Sequence, residues 1–177
     1  MAGRRSVIPD NHLAAIGHVA YVAGSLDFQI DIGIWKLVGA PQQLTACLTA
    51  QMISALPKLK AFSGLLQVLG ASEETVRKVN TLTGEVAGLL EKRNRIVHDA
   101  RWVHQRTGET ARLQITAKPK VHFGFVHETD EEVHAVADAL AGKIREFIEI
   151  RDAAIDEIAS LLEKSEPQLS EIIPAPG

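Results

Sequence analysis

Between Asp10 and Gly39 apolar residues return every third or fourth position: Leu13, Ile16, Ala20, Ala23, Ile30, Ile34 and Leu37. A period near 3.6 held over so many turns admits a helix and excludes a strand, so this stretch commits the chain to long helices. Asp10 supplies the start and Gly39-Ala40-Pro41 the stop. Asp27 fills the one gap in the series, and a carboxylate on a buried seam requires a partner.

The period recurs down the chain. Leu44, Leu48 and Met52 mark a second helix, Pro57 kinks or restarts it, and Leu59, Phe62, Leu66 and Leu69 carry it to Gly70. Ser72 caps a third long helix, with Glu73 and Glu74 in its first turn, which runs through Val79, Leu82, Val86 and Leu89 to about His98. Gly84 and Gly88 share its opposite side. A helical glycine costs about 1 kcal/mol and is tolerated best under close packing, so this helix is expected to be covered on two sides, within the fold or by a second subunit. From Trp102 to His127 the period shortens to two, with Leu113 and Ile115 and then Val121, Phe123 and Phe125 alternating, and turns at 107–110 and Lys118-Pro119 divide a small two- or three-stranded antiparallel insert. Trp102, Phe123 and Phe125 are expected in the core of this hairpin rather than as a base-stacking surface. Thr129 and Glu132 form a capping box ahead of a last helix through Val133, Val136, Leu140, Ile144, Phe147, Ile155, Ile158 and Leu161. The expected fold class is all-α: an antiparallel bundle of four to five helices with a small β-hairpin before the last long helix. Residues 1–165 read as one domain, with hairpin at about 102–127, and the proline-bearing residues 166–177 as a tail.

Composition narrows the function classes. Apolar residues make up 46% and charged residues 23% of the 177, as in ordinary globular domains. The opening MAGRRSVIPD lacks an apolar stretch of secretory length, and no apolar run reaches the roughly 18 residues of a membrane span, so a cytoplasmic location without membrane attachment is expected. Cys47 is the only cysteine, excluding an internal disulfide or a thiolate cluster, and its small apolar neighbours read as core. No cofactor is called for. The net charge of −3 argues against broad coating of nucleic acid. Charge is uneven, however: +2 over residues 1–70, +2 over 71–108 and −7 over 109–177, which puts any anion site in the middle segment.

That segment contains KRNRIVHDARW, residues 92–102. Continuing the third helix's seam through 79, 82, 86 and 89 lands on Arg93, while Asn94 and His98, four apart, share the adjacent face. A core does not accept an unpaired arginine, so either the helix end emerges into solvent or a polar cleft lies here, with Asp27 as a partner for Arg93. Basic residues are also favoured at any helix C-terminus, and Arg95 with Asp99 is spaced as a surface pair.

Arg93-Asn94-Arg95-Ile96-Val97-His98 resembles the R-x(4–6)-H motif of the HEPN superfamily (higher eukaryote and prokaryote nucleotide-binding domains), in its bacterial RN-x-x-x-H form with a tryptophan nearby, here Trp102. The bare spacing is common, and Arg5 with His12 also satisfies it. The match at 93–98 adds Asn94, the end of a long helix and a break in the apolar seam. The resemblance implies a homodimer, with the site formed across it from two motifs, and a metal-independent endoribonuclease of toxin or defence type with RNA as substrate and, for toxins, an antitoxin partner. His98 would move the 2′-hydroxyl proton, Arg93 would stabilise charge on the phosphate, and Asn94 would orient His98 or contact phosphate. Asp27, Asp99 and Trp102 would support them. Members without catalysis imply the alternative, a dimerising or ligand-binding module. A metal phosphohydrolase, read from the dipeptide His98-Asp99, lacks a second ligand cluster: His12 and His18 lie six apart, awkward for one helix face.

Overall fold

The computed structural model of the protein describes residues 8–104, 106–116 and 121–170. It is mostly helical, with five helices and one small three-stranded antiparallel sheet. The first helix, α1 (Asp10–Val38), spans the whole first periodic stretch, and Gly39 closes it at a φ of +64°, which glycine adopts without steric cost. Its buried stripe keeps Ala23, Ile30 and Ile34 of the expected seam and departs from it in the N-terminal half. Ala15, Val19, Val22, Leu26, Ile30 and Ile34 are buried, whereas Leu13 is exposed. The stripe through Leu26 is apolar at every step and the stripe through Leu13 must cross Asp27, so burial selects the former. By length and composition α1 is also apolar enough to cross a membrane, a test that core helices pass as well, and a third of its most apolar window is buried within the fold.

The next periodic stretch splits into α2 (Gln42–Thr49) and α3 (Ala55–Val68). The break falls before Pro57, which sits in the first turn of α3, where a missing N–H forfeits no helical hydrogen bond. On α2 the expected face is inverted. Thr45 and Thr49 are buried, while Leu44, Leu48 and Cys47, which was expected in the core, are exposed. The threonine hydroxyls tolerate burial because each donates to a carbonyl one turn back, and Thr49 Oγ1 also accepts a bond from Trp35 Nε1 at 3.1 Å.

The third long helix is α4 (Glu73–His98), capped as expected by Ser72, whose Oγ accepts from the Thr75 amide at 3.3 Å. A Cβ built on Gly84 or Gly88 meets nothing within 4 Å, so among the described residues no neighbour packs closely on that side. Then follow β1 (Arg101–Val103), β2 (Thr110–Thr116) and β3 (His122–His127), paired antiparallel in that order. Gly108, at φ +74°, makes the turn between β1 and β2, while Lys118-Pro119 lies outside the described residues. The last helix, α5 (Asp130–Ser170), opens on the predicted capping box: Thr129 N–H donates to Glu132 at 2.9 Å and Glu132 N–H to Thr129 Oγ1 at 3.2 Å. Pro167 lies inside α5, and residues 171–177 of the expected tail fall outside the described residues.

The chain forms two compact units, Met1–Ser25 with Ala87–Gly142 and Leu26–Val86 with Lys143–Gly177. The second unit is built on Ile30, Leu59, Leu66, Leu82 and an edge-on pair, Phe62 and Phe147, with centroids 5.3 Å apart. In it Lys58 is buried and donates to Asp27 at 2.6 Å and Asp31 at 2.8 Å. Burial opposes its charge, but the two carboxylates outweigh burial and hold the Lys58 ammonium above its ordinary pKa. The partner of Asp27 is therefore Lys58 and not Arg93. Core residues of the first unit include Ala15, Val19, Val22, Ile96, Val133, Ala137 and Leu140.

Candidate functional site

All the KRNRIVHDARW side chains belong to the first unit. Arg93 is half-buried on the α4 seam, one turn before buried Ile96, so the seam does carry an arginine. Its Nη1 donates to Asn94 Oδ1 at 2.9 Å, and its buried Nε has no hydrogen-bond partner. Asn94 and His98 are exposed on the last two turns of α4. The structure thus brings Arg93 and Asn94 into contact and leaves His98 accessible one turn on.

The supporting residues are arranged otherwise than expected. Arg95 pairs back to Glu91 at 2.8 Å rather than forward to Asp99. Asp99 instead receives Arg112 Nη1 at 2.6 Å, because the chain leaves the helix there and β2 returns alongside. Arg112 Nε also reaches Glu128 Oε1 at 3.0 Å, and Arg101 grips Glu128 Oε2 through Nε at 2.9 Å and Nη2 at 2.7 Å. Arg101 and Glu128 are only 5% and 7% exposed, so this is a dry, charge-assisted network.

His12 completes the network, and sequence reasoning missed it. Its side chain is 2% exposed. The Asp130 carboxylate accepts a bond from His12 Nδ1 at 2.6 Å and a second from Asn11 Nδ2, while His12 Nε2 lies 3.4 Å from Glu128 Oε2 without a hydrogen bond. A signal existed: running the buried α1 stripe back from Ala15 lands on His12. The centre of the network, His12, Arg101 and Glu128, is withdrawn from water, so it holds the start of α1 to the β3–α5 junction rather than meeting a substrate. His18 instead lies beside His134, with ring centroids 5.9 Å apart. Among the described residues no group of three His, Cys, Asp or Glu side chains is placed to hold a metal ion.

A groove of about 410 Å³ opens among α4, the sheet and α5, with Leu89, Ile96, Val133 and Val136 as apolar walls and Lys92 and Arg95 as basic ones. Neither Arg93 nor His98 lines it.

The sheet is inverted relative to expectation. Its register puts Trp102 beside Ala111 and His127, Leu113 beside Phe125, and Ile115 beside Phe123, all on one face. That face is open: Trp102, Ile115, Phe123 and Phe125 are 54%, 63%, 68% and 60% exposed. The opposite face carries Arg101 and Arg112, which the buried Glu128 demands, so the strands turn their charged side inward and the aromatic residues expected in the core point outward.

Comparison with protein-family models, curated proteins and solved structures finds no match for this chain.

Proposed function

We propose that the chain is a HEPN-like protein, its helices forming an antiparallel bundle, that acts in the cytoplasm as a homodimeric, metal-independent endoribonuclease of toxin or defence type. One observation carries the reading. Arg95, Arg101 and Arg112 are each neutralised by carboxylates, whereas Arg93, among the described residues, is held only by the Asn94 amide. A guanidinium oriented by a neutral neighbour keeps its charge for a phosphate, and His98, accessible one turn away, supplies an imidazole that can accept a proton. In this mechanism His98 takes the 2′-hydroxyl proton, the freed oxygen attacks the adjacent phosphorus, the bond from phosphorus to the 5′-oxygen breaks with that oxygen taking a proton from solvent water, and a 2′,3′-cyclic phosphate remains.

A fluorescent RNA incubated with the protein in chelator tests this. Cleavage to cyclic-phosphate ends is expected, with DNA uncut and with about a 10²–10⁴-fold loss in His98→Ala. Activity unchanged in His98→Ala, or abolished by the chelator, refutes it. A second reading, a non-catalytic HEPN-like dimerisation or ligand-binding module, is favoured by the open aromatic face of the sheet, which a catalytic role for α4 does not require.

A further inference from the structure

Apolar strand faces normally pack on a core, and a polar outer face is the rule for a sheet covered on one side. Here the order is reversed. Trp102, Phe123, Phe125 and Ile115 together leave roughly 400 Å² of apolar side chain open, about the size of a patch that marks a binding surface. Trp102 and Phe125 already stand edge-on to each other, centroids 5.4 Å apart, and with Val103, His104, Arg106 and Ala111 they wall a depression of about 720 Å³. The aromatic rings come from β1 and β3, on either side of β2.

Charge identifies the occupant. Residues 101–127 contain five basic side chains and one acid, Glu109, in a chain whose net charge is −3. Arg101 and Arg112 are spent on the inner face. Glu109 is engaged by the Thr107 hydroxyl and lies 3.5 Å from His127 Nε2. Arg106, exposed beside Trp102, has no acidic partner among the described residues. A polyanion whose units carry flat apolar rings fits both features: bases stack on exposed aromatics and phosphates meet the cations.

We infer that the outer face of the sheet is a stacking platform for single-stranded RNA, with Trp102 and Phe125 taking bases and Arg106 a phosphate. The choice of RNA rests on the ribonuclease reading, since the platform then holds the strand whose backbone the α4 residues would attack.

The test uses the full chain and a fluorescein-labelled single-stranded RNA of about 12 nucleotides and mixed sequence. Wild type is expected to bind, and Trp102→Ala and Phe125→Ala each to weaken binding by about 5- to 150-fold while keeping wild-type circular dichroism. Arg106→Ala lowers the slope of log affinity against log salt by about one. In a Trp35→Phe background the remaining tryptophan, Trp102, is quenched by RNA. Absence of binding, or binding by both aromatic variants as tight as wild type, overturns the platform. So does a dimer by sedimentation that Trp102→Ala and Phe125→Ala convert to monomer with RNA affinity unchanged, which assigns the face to a second copy. The two readings fail separately. Cleavage indifferent to His98→Ala with binding lost in Trp102→Ala removes the ribonuclease and keeps the platform, whereas cleavage dependent on His98 with binding indifferent to Trp102 and Phe125 removes only the platform.

Discussion

Replacing Glu128 with alanine removes three charge-assisted hydrogen bonds at once, two from Arg101 and one from Arg112. Both partners are largely withdrawn from water, so the loss strands charge rather than exposing it. Breaking a buried pair from one side costs about 3–5 kcal/mol. Asp99 still holds Arg112 at 2.6 Å, which places the expected cost near the lower end, about 3 kcal/mol. For a chain of this length that corresponds to a fall in Tm of about 6–12 °C. Glu128→Gln keeps the volume and one acceptor and is expected to lose less. The double variant Glu128→Leu/Arg101→Met is expected to be more stable than Glu128→Ala, because no guanidinium is then left without its carboxylate. Arg106→Ala, an exposed arginine of the same segment, serves as control and should stay within about 0.5 kcal/mol of wild type. Thermal and urea unfolding by circular dichroism read all four. A Glu128→Ala protein melting within about 2 °C of wild type would show that the network is not the fastening it is taken for.

Two further outcomes follow from the second unit. Lys58 has a folded pKa above its ordinary 10.5, so its contribution is fully present below that value and is lost as pH rises through the higher folded one; wild type should therefore destabilise more steeply than Lys58→Met above about pH 10.5, and parallel alkaline limbs in urea titrations would contradict this. Gly33→Ala would place a Cβ 2.9 Å from Phe62 Cε2 and 3.1 Å from Arg151 Cδ and is expected to cost about 1–3 kcal/mol, while Gly84→Ala, with open space around it, should gain up to about 1 kcal/mol; equal effects in chemical denaturation would refute the packing assigned to Gly33.

Helix positions were legible because the 3.6 period, Ser72, Gly39 and the Thr129–Glu132 box are local signals, each satisfied within a few residues. Which face is buried was less so. Two apolar stripes run along α1, and only the partner elements decide between Leu13 and Ala15. On α2 the threonines take the interior, and Leu44 and Leu48 stay more than half exposed. In the sheet, alternation identified the strands but not their sense. Trp102 and Phe125 turn outward because Arg101 and Arg112, one residue out of phase, are claimed by Glu128, a residue in neither β1 nor β2. The position of Arg93 on the α4 seam was readable, but its bond to Asn94 was not, and neither was the pairing of Asp27 with Lys58, 31 residues away. His12 was hidden for the same reason, its partner being 118 residues downstream.

That separation has a consequence for biosynthesis. At roughly 5–20 residues per second, a ribosome takes about 6–24 s to extend the chain from His12 to Asp130. Throughout that interval the first turns of α1 exist without Glu128, Asp130 or the sheet, and the apolar stripe from Ala15 to Val22 lacks Val133, Ala137 and Leu140. The buried stripe at the start of α1 thus waits for partners on α5, made more than a hundred residues later, which makes the nascent α1 a segment for a chaperone to cover.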